Sequence, residues 1–172
     1  GKGYVEDSLT REFRPSFMTF TTGTTNKPVS YLYSQYDIDN LRISGSRMLD
    51  LFDIGGSQRV VSMFPFAPHL AFWQVVFGGL ASSVLVMSTG GGKVMGTDGN
   101  ISVLLRMQPS VILGVPSYVY HVLREAKARG CRMEFLKKVV LGAARVGEGF
   151  KLKLAELAQD MGARDVSVFG TY

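Results

Sequence analysis

The residues best suited to chemistry form a run of hydroxyl side chains around a glycine, Thr21-Thr22-Gly23-Thr24-Thr25-Asn26-Lys27-Pro28. The threonine hydroxyls can donate hydrogen bonds, Gly23 allows a close backbone approach or a positive φ, and Lys27 supplies a cation. Together these groups could bind a phosphate. The alternative is a polar hairpin turn, because Asn26 and Pro28 are also typical of turns. Composition alone favours neither interpretation.

The segments on either side of this threonine loop (residues 21–28) predict a hairpin. An apolar run over 17–20 precedes the loop, and residues 29–33 have strand character. We therefore expect two antiparallel strands within 17–33 that are joined by the loop. The polar residues 1–16, interrupted by Pro15, predict an irregular lead-in, and residues 17–172 predict a single α/β domain.

Beyond the hairpin, helix and strand patterns alternate. Ser34 and Asp37 have the spacing of a capping box, ahead of a helix that ends before Gly55. Later patterns predict strands at 59–66, 82–88, 110–115, 138–141 and 165–169, with helices at 69–80, 98–107, 116–129 and 148–161. Apolar strands separated by helices predict an α/β fold, with a mostly parallel sheet and helices on both faces. Ligands bind such sheets at the carboxyl ends of the strands.

The composition of the chain indicates which binding partners and which cellular compartment are compatible with it. The net charge is +5, but the basic residues are dispersed, which argues against nucleic acid. The uncharged stretch 60–92 is interrupted by Pro65, Pro68 and glycines, so it predicts buried strands and a helix and no membrane span. Cys131 is the single cysteine, which excludes an intrachain disulfide and predicts a reducing, cytoplasmic location.

Two other features resemble ligand-binding motifs, but neither has all the residues that such a motif requires. The run Ser88-Thr89-Gly90-Gly91-Gly92-Lys93 lacks the earlier glycine and the final hydroxyl of a nucleotide P-loop. His69 and His121 have no Asp or Glu at ligand spacing, so we predict no metal site in this chain. His69 follows the apolar residues 64–68 at a strand-to-helix junction, where it could face a ligand crevice or cap the helix.

The threonine loop resembles the phosphate loop of the adenylate-forming superfamily, whose usual form is Ser/Thr-Ser-Gly-Thr-Thr-Gly-x-Pro-Lys. Thr21, Thr22, Gly23, Thr24, Thr25 and Pro28 match this form. Asn26 replaces the second glycine, and Val29 replaces the final lysine. Lys27 is therefore the nearby cation.

Three later stretches resemble motifs of the same superfamily in the same order. The run Phe64-Pro65-Phe66-Ala67-Pro68-His69 resembles its aromatic motif that ends in histidine, and 141–145 resembles its Gly-Gly-Ala/Glu loop. Residues 168–172 resemble the approach to its Tyr-Gly-x-Thr-Glu motif. The overall run of the sequence is most similar to the phenylacetate-CoA ligase-like group. Family members are much longer, so the chain resembles a central fragment of their large amino-terminal domain.

This resemblance implies an AMP-forming acid-thiol ligase, an acyl-CoA synthetase that uses ATP, Mg²⁺, CoA and a small-molecule carboxylic acid. It implies a phosphate-binding set of Thr21, Thr22, Gly23, Thr24, Thr25, Asn26 and Lys27. It also implies adenine contacts from Gly142, Ala143, Ala144 and Tyr172, and an acyl pocket with Phe66 and His69. The Mg²⁺ ligand and the catalytic residues are expected outside this chain, so we expect the isolated chain to be inactive.

Two other classes remain open. The chain could be a binding or scaffold domain that has kept the fold without catalysis, which the departures at Asn26 and Val29 would fit. It could also be an unrelated flavodoxin-like protein that binds a phosphate-bearing cofactor through the threonine loop. Exposed apolar sheet edges could lead it to form a homo-oligomer.

Overall fold

The computed structural model describes residues 11–20, 28–66 and 69–171. The first two strands, β1 (Pro15–Phe20) and β2 (Ser30–Ser34), pair antiparallel, as the hairpin prediction requires. β1 begins at Pro15, slightly ahead of the apolar run that predicted it. Residues 21–27 of the threonine loop and residue 172 lie outside the described ranges.

The remaining elements alternate between helix and strand. They are α1 (Gln35–Leu51), β3 (Arg59–Ser62), α2 (Leu70–Ala81), β4 (Leu85–Ser88), α3 (Gly92–Met107), β5 (Val111–Gly114), α4 (Pro116–Ala128), β6 (Lys138–Leu141), α5 (Glu148–Asp160) and β7 (Ser167–Gly170). The five strands from β3 to β7 pair in parallel in the order β4-β3-β5-β6-β7. The connections that leave β3 and β5 run in opposite directions, so a crevice opens between the carboxyl ends of these two strands.

Alternation along the strands explains why helices cover both faces of the sheet. Side chains of successive residues in a strand point to opposite faces. One buried cluster combines strand residues with α1 and α2, and contains Leu49, Val60, Val75, Val111, Leu113 and Val140. The other combines strand residues with α3, α4 and α5, and contains Val61, Leu104, Ile112, Val122, Val139, Leu141 and Leu154. The predicted fold class is confirmed.

Several element ends differ from their predictions for local backbone reasons. β3 ends at Ser62 and not at 66, because Pro65 has no N–H for a strand ladder. β4 begins only after Ser83, whose φ of 53° turns the chain after α2, and β7 begins only after Asp165, whose φ is 54°. α3 begins at Gly92 and not at 98, because one helical turn precedes a break at Gly96 (φ 63°).

The end of α1 is tied to the sheet by a lysine. Lys138, at the start of β6, donates from Nζ to the Phe52 carbonyl at 2.9 Å and to the Asp53 carboxylate at 2.8 Å. It also bonds to the Asp53 carbonyl. The hydrogen bond from Lys138, and then its charge, hold the pKa of Asp53 below the ordinary value of 3.8. The lysine thereby satisfies carbonyls that the helix end leaves unpaired.

The Lys138 contact predicts a pH-dependent loss of stability. Because folding lowers the pKa of Asp53, the contact stabilises the fold above pH 3.8 and is lost as the pH falls through the lower folded-state value. Asp53→Asn should therefore be less stable than the wild type at neutral pH, and the difference should shrink in acid. Urea unfolding across this pH range measures it. A difference that stays constant down to strongly acidic pH would contradict the assignment.

α1 and α2 approach each other through two glycines. A Cβ added to Gly45 would lie 2.7 Å from the Gln74 carbonyl oxygen and 2.7 Å from the Cα of Gly78. Because these neighbours are backbone atoms, they cannot move aside as a flexible side chain could. This close approach fixes the position of α2, including its first turn, relative to the rest of the fold.

Gly45→Ala should destabilise the chain, because the new methyl group overlaps the backbone of α2. We expect a loss of about 1–3 kcal/mol in the free energy of unfolding, the usual cost of overpacking. Gly149→Ala is the matched control, since a Cβ at Gly149 meets nothing within 4 Å and α5 should gain about 0.5–1 kcal/mol. Urea unfolding compares the two. Equal stability of the two variants would rule out the close approach.

Candidate functional site

The hairpin is held on α2 by aromatic packing. The ring of Phe17 in β1 lies 4.8 Å from that of Trp73, almost perpendicular at 80°, and 6.3 Å from that of Phe77. Such edge-to-face pairs are favourable beyond the area they bury. This packing positions Phe20 at the end of β1, the residue that directly precedes the threonine loop in sequence.

A cleft of about 430 Å³ lies between the hairpin, the start of α2 and the loop after β6. It brings together His69, predicted for the acyl pocket, and Ala143, predicted for the adenine loop. The complete lining is Thr19, Phe20, Tyr31, Tyr33, His69, Leu70, Ala71 and Ala143. Few of these side chains are charged or strongly polar, so the cleft suits a ligand with an apolar part.

His69 precedes α2 as its N-cap residue, but its side chain makes no capping hydrogen bond. Of the two roles that the sequence allowed, capping is therefore wrong. The backbone of His69 is extended (φ −81°, ψ 133°), as is usual for an N-cap position. Its imidazole remains available to a ligand in the cleft.

The loop after β6 begins with small residues and has a strained backbone. A Cβ on Gly142 would lie 3.0 Å from Cζ of Phe64 and 3.3 Å from Cγ2 of Thr171, so protein contacts alone already favour glycine there. Ala143 has a left-handed φ of 65°. Of the non-glycine residues with positive φ in the described chain, Ala143 alone follows a strand. Strain of this kind is often found at ligand sites.

The other predicted site residues do not all meet in this cleft, which we call the large cleft because it is the larger of the two clefts that contain predicted site residues. Ala144 lines a second cleft of about 280 Å³ between the loops after β5 and β6, together with Ser117, Arg145 and Phe150. Phe66 is 38% exposed, and its ring lies 5.1 Å from that of Phe72. It does not line the large cleft. Tyr172 and the residues from Thr21 to Lys27 lie outside the described ranges.

Two features near the site escaped sequence analysis. Tyr31 and Tyr33 both line the large cleft, and their spacing of two along β2 is a signal that could have shown that they share a face. Asn100 in α3 is fully buried at the centre of a polar network. No local pattern indicates this network, because its side-chain partners Thr89 and Tyr118 lie 11 and 18 residues from Asn100.

The network of Asn100 includes the partly buried phenol of Tyr118. The Nδ2 of Asn100 donates to Oη of Tyr118 at 3.1 Å, and Thr97 Oγ1 lies 3.1 Å from Nε2 of His121. Burial raises the pKa of Tyr118, while hydrogen bonds with Thr97 and Asn100 act in the opposite direction. Tyr118 therefore stays a neutral phenol at ordinary pH.

Within the described ranges, the side chains of His, Cys, Asp and Glu form no group of three that could hold a metal ion. The helices among these residues include none that is long and apolar enough to cross a bilayer.

The fold is that of part of the acyl-CoA ligases and adenylation domains. A 2-hydroxyisobutyryl-CoA ligase, in an open conformation with 2-HIB-AMP and CoA, superposes with a TM-score of 0.79 at 17% identity, covering 91% of this chain and 33% of that one. A long-chain-fatty-acid-CoA ligase from Archaeoglobus fulgidus gives 0.73 at 15% identity, covering 93% and 31%. An AMPPNP-bound nonribosomal peptide synthetase gives 0.69 at 17% identity, covering 93% and 16%.

Sequence comparison identifies a related protein in addition to these structures of similar fold. The chain is 30% identical over 132 residues to a 3-methylmercaptopropionyl-CoA ligase of Ruegeria pomeroyi. The match covers 75% of this chain but 23% of that protein, so the chain spans about a quarter of the relative's length. No family model matches the chain. The resemblance to the adenylate-forming superfamily is thereby confirmed in both sequence and fold.

Because His69 makes no capping bond, its replacement by a capping residue should stabilise the chain. His69→Ser places a hydroxyl where it can accept from a free N–H in the first turn of α2, for a gain of about 1 kcal/mol in the free energy of unfolding. His69→Ala is the control and should leave stability nearly unchanged. Urea unfolding measures both variants. A large loss in His69→Ala would mean that the imidazole supports the fold.

Proposed function

We propose that this chain is a segment of an AMP-forming acid-CoA ligase and forms part of its ATP and acyl sites. The observation that carries the proposal is the large cleft, in which the end of β1, His69 and Ala143 come together. The sequence relation to a 3-methylmercaptopropionyl-CoA ligase supports it. Since the chain spans about a quarter of that relative, turnover requires more protein than this segment.

The reaction joins a carboxylate to the α-phosphate of ATP with release of pyrophosphate, and the thiol of CoA then displaces AMP from the acyl adenylate. Such steps are accelerated mainly by positioning and by charge stabilisation. In our proposal the threonine loop, with Lys27, binds the β and γ phosphates. Phe20 lines the cleft directly before this loop, which supports a phosphate position at the cleft rim.

The other roles follow from the surroundings of the cleft. Ala143 and its neighbours Gly142 and Ala144 would lie against the adenine, on which Tyr172 would stack. His69 would border the acid, in a cleft whose mostly apolar lining favours an apolar or aryl acid. This preference is compatible with a phenylacetate-CoA ligase-like enzyme. Mg²⁺ would be held by residues outside this chain, and the single cysteine supports a cytoplasmic location.

The strand order supports a second candidate. Numbered from the first parallel strand, the order β4-β3-β5-β6-β7 becomes 2-1-3-4-5, which is the order of flavodoxin-like sheets. Such proteins bind FMN at the crevice that here lies between β3 and β5. Titration with FMN and with ATP separates the two candidates. Binding of neither ligand by the intact protein would favour the scaffold alternative.

The proposed phosphate role of the threonine loop predicts a loss of ATP affinity in Lys27→Ala. Loss of a charge-assisted hydrogen bond of about 1.5–3 kcal/mol should raise the KM for ATP roughly tenfold to a hundredfold. ATP-pyrophosphate exchange by the intact protein, with aryl and aliphatic acids, measures this. Ser44→Ala on α1 serves as the control, because this hydroxyl bonds to the Leu41 carbonyl of its own helix and does not line the cleft. An unchanged KM in Lys27→Ala would contradict the role, and exchange by the isolated segment would contradict its incompleteness.

A further inference from the structure

A buried threonine holds the hydroxyl group of Tyr33 at the wall of the large cleft. Thr19 Oγ1 donates a hydrogen bond to Oη of Tyr33 at 3.3 Å. Both residues line the cleft, and Thr19 is only 2% exposed. A threonine hydroxyl has one hydrogen to donate, and the phenol oxygen accepts it here. The O–H of Tyr33 is therefore not used in this bond and can donate to a ligand in the cleft.

The ring of Tyr33 is held by an aromatic neighbour. It lies 5.7 Å from the ring of Phe17, the residue directly opposite in the hairpin, and Phe17 in turn packs on Trp73. Tyr31, the other phenol in the cleft, is 51% exposed. Tyr33 thus has contacts at its ring and at its oxygen. A donor that is held in place before the ligand arrives loses less conformational freedom on binding.

The surroundings of this hydroxyl suit a carboxylic acid. Of the described residues that line the cleft, none is Asp or Glu, so no carboxylate there repels an anion. Phe20, Leu70 and Ala71 supply apolar surface for the hydrocarbon part of such an acid. A carboxylate can only accept hydrogen bonds, and its bonds to donors are stronger than those between neutral groups. The Tyr33 hydroxyl is such a donor.

We propose that the Tyr33 hydroxyl donates a hydrogen bond to the carboxylate of the acid, and that Thr19 is a positioning residue that orients this hydroxyl. The inference rests on the proposed function, in which the acid binds in the large cleft beside His69. Tyr33 holds one carboxylate oxygen, and the other stays available to attack the α-phosphate of ATP. Such positioning of a reacting group is a main source of rate enhancement in reactions of this kind.

The first test removes the hydroxyl and keeps the ring. In Tyr33→Phe, kcat/KM for phenylacetate and for hexanoate in ATP-pyrophosphate exchange by the intact protein should fall about tenfold to a hundredfold, because a hydrogen bond to a charged group is lost. The KM for ATP should stay the same. Tyr36→Phe on α1 is the matched control, since its phenol is 50% exposed and does not line the cleft.

The second test separates positioning by Thr19 from simple packing. Thr19→Val keeps the shape but lacks the hydroxyl, and should lower kcat/KM for the acid about threefold to tenfold, less than Tyr33→Phe, because a bond of 3.3 Å is long for two hydroxyl groups. Thr19→Ser keeps the hydroxyl and should stay near the wild-type value. The double variant Thr19→Val/Tyr33→Phe should be no worse than Tyr33→Phe, because Thr19 acts through Tyr33.

Four outcomes would overturn the proposal. The first is an unchanged kcat/KM for both acids in a folded Tyr33→Phe protein, and the second is an equal fall in Tyr36→Phe. The third is a rise in the KM for ATP without a change for the acid, because the phenol would then contact the nucleotide. The fourth is a larger defect in Thr19→Ser than in Thr19→Val, which would mean that the methyl group matters and the hydroxyl does not. If Tyr33→Phe does not fold, the two Thr19 variants decide.

Equilibrium binding distinguishes this inference from the proposed function. Calorimetric titration of the intact protein with phenylacetate and with hexanoate should give a dissociation constant about tenfold to a hundredfold higher in Tyr33→Phe than in the wild type, with Tyr36→Phe unchanged. If the acid binds in this way but no exchange occurs, the proposed function fails and the carboxylate site stands. If the wild type binds neither acid at millimolar concentration, the inference is overturned.

Discussion

The contact between Phe17 and Trp73 is the interaction on which the candidate site depends. A two-stranded hairpin has little stability of its own in water, so β1 and β2 need a surface to pack against. α2 supplies this surface on one side and packs against α1 through Gly45 and Gly78 on its other side. The position of Phe20, the last residue of β1, is therefore determined by helix packing in the core. Without this aromatic contact, the large cleft would lack one of its three walls.

The amino and carboxyl ends of the parallel strands differ in their local structure. At the amino ends of the strands, Lys138 satisfies exposed carbonyls after α1, and Gln108 ends α3 with a left-handed backbone. These features close the fold and are typical of helix ends. At the carboxyl ends, Ala143 has a similar left-handed backbone, but it follows a strand and ends no helix. A parallel sheet of this order places its ligand there.

Much of the fold follows from the sequence, because the strongest patterns are local. β6 was predicted with its observed bounds, since its apolar run is short and clearly bounded. β3 was predicted too long, because Phe64 and Phe66 continue the apolar run although Pro65 cannot join the ladder. The start of α3 was missed because glycines predict a turn, and here the first helical turn begins among them.

The candidate site was only partly predictable. His69 and Ala143 could be assigned to the carboxyl ends of strands, since the order of helices and strands fixes this edge. Tyr31 and Tyr33 line the cleft because of the way the hairpin packs against the rest of the fold. The alternation of residues along β2 carries no information about this packing. The bonds of Asn100 join α3 with the end of β4 and with α4. Contacts between such distant positions become visible only in three dimensions.

The central position of β3 has a consequence for the order in which the chain assembles. β3 pairs with β4 on one side and with β5 on the other, and both partners follow it in sequence. During synthesis, β3 and β4 are complete while α3 and β5 are still to come. The fully buried Val60 and Val61 then border an open strand edge, and such edges pair readily with other chains. We expect α3 and β5, which close this edge, to determine how much of the newly made chain escapes aggregation.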